Sequence, residues 1–389
     1  MRWMVPQSRL DEAQQDILKK CKDPRSKRDW IQGFAGSGKT VLAVHLAREL
    51  LEASSNIKIC ILAYTHALKD LIQTGMDANM AGRIQVSTYH QFLNRRTPFD
   101  VVILDEVQDV PAGDLARIEQ LAGRLIIAGD TDQSIYQNGC SGDEIMNLLQ
   151  PRTHKLAVIY RLTRKLIDVV KTILPDSQIE GTPTGRMQDV QVSLGLAKDQ
   201  DEEIRWLLDQ AKSYARSGDP VAILIPNHRQ VRFLIESVCR LEGKPIPDFP
   251  QAVRANGLPG SGFDYDQVNR ELESQGLAIQ YIGNKYGNLT DSDSKALTYI
   301  MTYHSVKGLD FETVFMPFLD EDQTFWRDGS DIERRLFFVA ATRSRRNLFL
   351  SYSSLNPHRL VQQMPQNLLN HVKCMKTEIS AAAEEEFSF

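Results

Sequence analysis

The stretch GFAGSGKT, Gly33 to Thr40, decides how the rest of the chain is read. It follows DWIQG, a near-continuous apolar run of the kind a buried parallel strand requires, and it opens TVLAVHLARELLEA, where apolar residues recur at helical spacing. A strand, a glycine-rich loop and a helix in that order make a phosphate cradle. The loop residues Gly33, Gly36, Ser37 and Gly38 let backbone N–H groups converge on phosphate oxygens at a helix N-terminus. Lys39 supplies a mobile charge for the β- and γ-phosphates, and the Thr40 hydroxyl is a ligand for Mg²⁺. A plain glycine-rich turn capping a helix does not account for strand, loop, Lys-Thr pair and helix together.

Working outward, IKICILAY, RIQVST, DVVILDE and RLIIAGD read as further buried strands, and AGDLARIEQLA reads as a helix between two of them. This is the βαβ grammar of a doubly wound α/β sheet. DVVILDE ends in Asp105 and Glu106 at the carboxyl edge, where open α/β sheets bind ligands. Asp105 is placed to hold Mg²⁺ through water, and Glu106 to orient and deprotonate an attacking water. Alone, this pair leaves room for a solvated acidic turn as the lesser reading; the phosphate loop beside it strengthens the catalytic one. In IIAGDTDQSIYQNG, Asp130 and Gln133 close a third strand and share the edge of Lys39 and Glu106. Gln133 both donates and accepts, so it can touch a γ-phosphate and report its loss.

The grammar restarts with VAILIPN, a helix through QVRFLIESVCRL, then ALTYIMTYH, TVFMPFL and NLFLSYS. At 389 residues the chain exceeds what one hydrophobic core usually supports. The reading is a first α/β domain over 1–150, a second over 151–374 and an acidic, flexible tail over 375–389. Residues 241–295 read as loops with one small helical element. The composition, 42% hydrophobic and 25% charged, excludes disordered and collagenous classes. No apolar run reaches bilayer length, and MRWMVPQSRLDEAQQ has no apolar segment of a secretory leader. Five scattered cysteines fit neither a disulfide framework nor a zinc site, so a reducing cytoplasm is expected. The net charge of −4 does not advertise nucleic-acid binding, although tracking a single strand needs only a local positive groove with stacking platforms.

In order, GFAGSGKT, DEVQD, GDTDQSIY, IYRLTRK, MTYHSVKGLDF and RRLFFVAATRSRR closely resemble the motifs of the UvrD/Rep branch of superfamily 1 helicases, from about Gln14 to Ser354. The resemblance implies two RecA-like P-loop domains with mostly parallel sheets flanked by helices. It assigns Gln14 to the adenine edge, hence ATP over GTP, Tyr160 to stacking on adenine, and Arg161 to the γ-phosphate. Gly308 and Asp310 fall at the ribose, where the family usually has glutamate in place of Asp310, and Arg343 matches a second arginine finger. Without its motif, either arginine reads as an ordinary surface residue. Thr65, His66, Thr88, Tyr89 and His90 from the first lobe, with Thr302, His304 and Lys307 from the second, would contact single-stranded nucleic acid, with DNA the family's substrate. Taken singly, each of these histidines reads as structural.

Two departures matter. Relatives place a stacking tryptophan where this chain has Asn138, and an aromatic platform contributes about 1–3 kcal/mol of base stacking. Relatives also carry large accessory inserts, whereas here only LNRRTPFD separates Phe92 from the next strand. His66 also stands where phenylalanine is usual. The expectation is a stripped ATP-dependent translocase, 3′-to-5′ by family, that unwinds duplex poorly alone and relies on a partner such as a nuclease. The competing expectation is a nucleotide-dependent regulatory switch within a larger repair or defence complex.

Overall fold

The computed structural model describes residues 3–131, 134–135, 138–174, 182–183, 189–253, 259–283, 285–287, 289, 296–323 and 331–375. The first lobe runs α1 (Glu12–Cys21), β1 (Arg28–Gly33), α2 (Lys39–Ala53), β2 (Ile59–Ala63), α3 (His66–Thr74), β3 (Ile84–Thr88), α4 (Tyr89–Arg95), β4 (Phe99–Leu104), α5 (Ala112–Gln120), β5 (Ala122–Gly129), α6 (Gly142–Leu149) and β6 (Arg152–Leu156). Its six strands lie in the order β3-β2-β4-β5-β1-β6, and every ladder is parallel. Parallel pairing forces crossover helices over the faces, which is why β2 is buried along its whole length.

The strand β6 was not apparent from sequence. Its RTHKL is too polar to read as a buried run, because it is an edge strand with only β1 beside it. A buried carboxylate holds it in place. Asp29, fully buried in β1, accepts bonds from Arg124 of β5 at 3.0 Å and from Arg152 and His154 of β6 at 2.8 and 2.9 Å. Burial pushes the Asp29 carboxyl up, but bonds from His154, Arg124 and Arg152 outweigh it and hold it down at about 2. The first sheet therefore reaches past the sequence-based division at Gln150.

A two-stranded ladder of β7 (Val158–Ile159) and β8 (Thr182–Pro183), with α7 (Arg164–Val170) between them, follows the first lobe. The second lobe comprises β9 (Gln191–Leu196), α8 (Gln200–Arg216), β10 (Val221–Ile225), α9 (His228–Leu241), β11 (Gln251–Val253), β12 (Pro259–Phe263), α10 (Tyr265–Ser274), β13 (Ile279–Tyr281), β14 (Thr298–Thr302), β15 (Phe311–Met316), α11 (Asp331–Ala341), β16 (Ser344–Tyr352), α12 (Arg359–Gln362) and β17 (Asn370–Lys373). Its seven strands are ordered β13-β14-β10-β15-β16-β9-β17, again all parallel. The stretch read as loops with one helical element holds that helix, α10, and more: a β11–β12 hairpin, and β13, which joins the main sheet. The tail beyond Met375 lies outside the described residues. Among the described residues no helix is long and apolar enough to cross a membrane, and all five cysteines are free and buried.

The second sheet carries its own buried acid. Glu203 of α8 accepts from the Phe318 N–H at 2.8 Å and the Ser351 hydroxyl at 2.6 Å, and burial pushes its carboxyl up to about 7. The folded chain thus holds a proton that the unfolded chain releases near pH 4.5, the value for a free glutamate. Its stabilising effect is complete below that pH and is lost as pH rises through about 7. Glu203→Gln should flatten this loss, seen as a smaller fall in Tm between acidic and alkaline buffer than in the unchanged chain. Asp29→Ala, which strands the Arg124 and Arg152 guanidinium groups, should cost about 3–5 kcal/mol in denaturant unfolding.

Candidate active site

The phosphate loop leaves β1 at Gly33 and enters α2 at Lys39. Gly36 and Gly38 have φ of 76° and 90°, a left-handed backbone that side chains rarely adopt. At Gly36 there is also no room: a Cβ would lie 2.5 Å from Cβ of Arg161. The backbone N–H of Tyr160 donates to Gly36 O at 2.9 Å, so the segment carrying Arg161 is fastened directly to the loop. Lys39 is buried, and its ammonium donates to the carbonyls of Gly33 and Phe34 at 2.6 and 3.2 Å. The Thr40 hydroxyl donates to Asp105 at 2.5 Å.

Asp105 and Glu106 emerge from β4 as its sequence pattern requires. Glu106 has φ of 57°, an uncommon value for a residue with a side chain and one that often marks a functional position. Burial, then the charge of Glu106, raises the Asp105 carboxyl. Burial also opposes ionisation of Glu106, but Lys307, Lys39 and Arg343 outweigh it and hold Glu106 as a carboxylate. Gln108, fully buried, donates to Glu106 and accepts from the Asp130 N–H at 3.1 Å. It thereby ties the ends of β4 and β5 together. Gln133 lies outside the described residues.

From the second lobe, Asp310 meets a fan of arginines. Arg161 bonds its carboxylate, Arg345 approaches at 3.4 Å and Arg343 at 4.0 Å. Arg343 is further held by the carbonyls of Val339 at 2.8 Å and Leu309 at 3.5 Å. Burial lowers the pKa of both Arg161 and Arg343, Arg343 also feeling the charge of Arg161. Nε and Nη2 of Arg161 are buried with no hydrogen-bond partner among the described residues. Gly36, Gly38, Lys39, Thr40, Glu106, Arg161, Gly308, Asp310 and Arg343 line one cleft, which encloses about 700 Å³ including its mouth. Trp3 and Arg345 line it too, neither of which the sequence reading singled out.

Gln14 and Tyr160 both meet Asp11. The Gln14 amide is buried, accepting from the Asp11 N–H at 3.2 Å and donating to Ser37 O at 3.2 Å, while the Tyr160 hydroxyl bonds Asp11. Together they brace the back of the phosphate loop.

The residues assigned to nucleic acid lie along the carboxyl edges of both sheets. Thr65 and Thr88 are N-caps of α3 and α4, accepting from Leu68 N–H at 3.1 Å and Gln91 N–H at 3.4 Å. Tyr89 is buried, and the exposed His90 packs on its ring at 3.8 Å between centroids. His66 is half-buried, and burial lowers its pKa. Thr302 is buried against Ser305 at 2.8 Å, and burial brings His304 down to about 4. Lys307 is buried across the lobe boundary, 2.5 Å from Asp109 and 3.6 Å from Glu106. Asn138 is exposed.

Two parallel α/β lobes with a phosphate loop on one wall of a cleft and arginines on the other define a tandem RecA-like P-loop NTPase. Residues 265–355 match the UvrD-like helicase C-terminal domain, and residues 9–180 match an AAA domain. In these matches the chain is similar to the UvrD/Rep-like helicases. It is 30% identical over 144 residues to DNA helicase II of Rickettsia typhi, covering 34% of this chain and 20% of that protein. It is 27% identical over 142 residues to the ATP-dependent DNA helicase PcrA of Staphylococcus aureus, covering 31% of this chain and 19% of the relative. The matches thus span about a fifth of those relatives' length. Among solved structures it is similar to an Arterivirus nonstructural protein 10 (helicase) in complex with DNA, at 16% identity and a TM-score of 0.43, covering 90% of this chain and 64% of that one.

Lys307 neutralises two buried acids at once, which yields a direct test. Lys307→Met should cost about 3–5 kcal/mol in denaturant unfolding, because Glu106 and Asp109 lose their shared cation. Adding Asp109→Asn should recover part of that loss, and strict additivity of the two changes would contradict the contact.

Proposed function

We propose that this chain is an ATP-hydrolysing motor acting on single-stranded nucleic acid, with DNA as substrate and 3′-to-5′ as direction, both on the family's precedent. One observation carries the reading: Lys39 and Thr40 face Arg161 and Arg343 across a single cleft formed where the lobes meet. In this reading Lys39 and the loop N–H groups hold the β- and γ-phosphates. The Thr40 hydroxyl and the Asp105 carboxylate, 2.5 Å apart, are hard oxygen donors that suit Mg²⁺. The ion, when bound, screens phosphate charge and polarises the γ-phosphoryl group.

Glu106 takes a proton from the attacking water as its oxygen bonds the γ-phosphorus and the bond to the β–γ bridging oxygen breaks, releasing ADP. Arg161 and Arg343 balance charge on the transferred group. Gln133 keeps the part of γ-phosphate sensor. The nucleic-acid set is Thr65, His66, Thr88, Tyr89, His90, Thr302, His304 and Lys307, acting in the cytoplasm with a protein partner such as a nuclease. Lys307 supports coupling between the two sites, since it belongs to this set and also sits 3.6 Å from Glu106.

A second reading, a nucleotide-driven switch with little movement, draws support from the exposed Asn138 and from threonine hydroxyls engaged in caps. ATPase rate with and without poly-dT separates the two: a motor is strongly stimulated and a switch is not. Glu106→Gln should lower kcat by roughly 10²- to 10⁴-fold with the fold intact, and Lys39→Ala should abolish turnover. Near-normal turnover by Glu106→Gln would remove Glu106 as the base.

A further inference from the structure

We infer that the base of the bound nucleotide stacks on Trp3, which an N-terminal arm lays along one wall of the cleft. This inference rests on the cleft binding a nucleoside triphosphate. Such a ligand needs two unlike surfaces, a cationic one for phosphates and an apolar, preferably aromatic one for the base. The cationic surface is the phosphate loop with Arg161, Arg343 and Arg345. Among the described residues lining the cleft, the apolar side chains are Trp3, Ala35, Val41 and Leu71, and the indole of Trp3 is the one aromatic ring.

The arm is anchored at several points. Trp3 Nε1 donates to the Thr74 hydroxyl at 3.0 Å, Val5 O meets His45 Nε2 at 2.9 Å, and Gln7 bonds Glu49. These contacts run from the end of α3 along the length of α2, the helix that the phosphate loop opens. Gly75 lets the indole approach: a Cβ there would lie 2.5 Å from Trp3 Cζ2 although its φ of −84° suits any residue. Close approach, not backbone conformation, therefore accounts for glycine at this position.

The two residues expected at the base both meet Asp11. Both ends of the Gln14 amide are engaged by Asp11 and the phosphate loop, and the Tyr160 hydroxyl is held by Asp11. Stacking accepts any base, whereas hydrogen bonds to a base edge discriminate steeply. Stacking on Trp3 should thus favour purines by ring area.

The test uses the full chain, with ATP, GTP and inorganic tripolyphosphate as ligands in calorimetric titrations. Trp3→Leu should weaken ATP roughly tenfold, the loss of one stacking partner, and leave tripolyphosphate unchanged. Trp3→Phe should restore most of the ATP affinity. Gly75→Ala keeps the tryptophan but displaces its ring, and should weaken ATP in the same selective way. ATP binding to Trp3→Leu as tight as to the unchanged chain overturns the inference. So does an equal loss of ATP and tripolyphosphate, or a loss of ATP that spares GTP. Lys39→Ala should weaken both ligands; an unchanged chain that binds neither overturns the nucleotide cleft itself, and this inference with it.

Discussion

Three guanidinium groups crowd one half-buried carboxylate, and the arrangement of the lobes depends on that concentration of like charge. Arg161, Arg343 and Arg345 lie around Asp310 at the seam, with Lys39 across the cleft. Burying cations costs several kcal/mol per ion unless each is matched by charge and hydrogen bonds. Asp310 is a single negative charge and leaves Nε and Nη2 of Arg161 without hydrogen-bond partners among the described residues. A cationic surplus of this kind fits a polyanion, and a triphosphate complements it from the loop side. The chain's overall acidity does not bear on this, because the field inside a low-dielectric cleft is set by its own walls.

The same seam explains why the lobes register as they do. Tyr160 N–H grips Gly36 O, and Phe34 of the loop meets Phe338 of α11 edge-on with ring centroids 6.1 Å apart. Loop, connecting segment and α11 are therefore three parts of one packed unit. A shift of the arginines relative to the phosphates must move α11 and the β15–β16 half of the second sheet with it. Packed interfaces of this kind move between discrete arrangements instead of deforming smoothly. That property makes them suited to convert phosphate cleavage into displacement.

Much of the fold was legible because parallel strands buried on both faces carry continuous apolar runs, as β2 and β10 do throughout and β4, β5 and β14 do through part of their length. The edge strands escaped for the converse reason. In β6 the polar residues of RTHKL bond Asp29 inside the first lobe, while the short β13 leaves too little pattern to detect. In the cleft, residues tied to a motif announced themselves, since phosphate chemistry demands lysine, hydroxyl, carboxylate and arginine at fixed points on strands. Gln108 stood in plain view within DEVQD, but its role depends on Asp130 lying one strand away, which only the β4–β5 ladder establishes. Trp3 had no local signal at all: an arm held by scattered tertiary bonds carries no periodicity. Gln14 was visible through its motif, but its contacts with Asp11 and the loop were not.

Lys307 shows how binding of a polymer and cleavage of a phosphate can communicate without a long relay. Its ammonium lies between Asp109 at 2.5 Å and Glu106 at 3.6 Å, and it is the leading influence holding Glu106 ionised against burial. On the proposed reading the same side chain belongs to the polymer-contacting edge of the second lobe. A phosphate that drew Lys307 outward would weaken its hold on both acids, and with Asp109 and Asp105 already raised by burial the local proton balance would shift at once. On that reading Lys307, shared between buried acids and a polymer phosphate, would act as a two-state element biased by both ligands through ordinary Coulomb attraction. Coupling of that kind requires no accessory domain, which fits a chain whose β3-to-β4 connection is short.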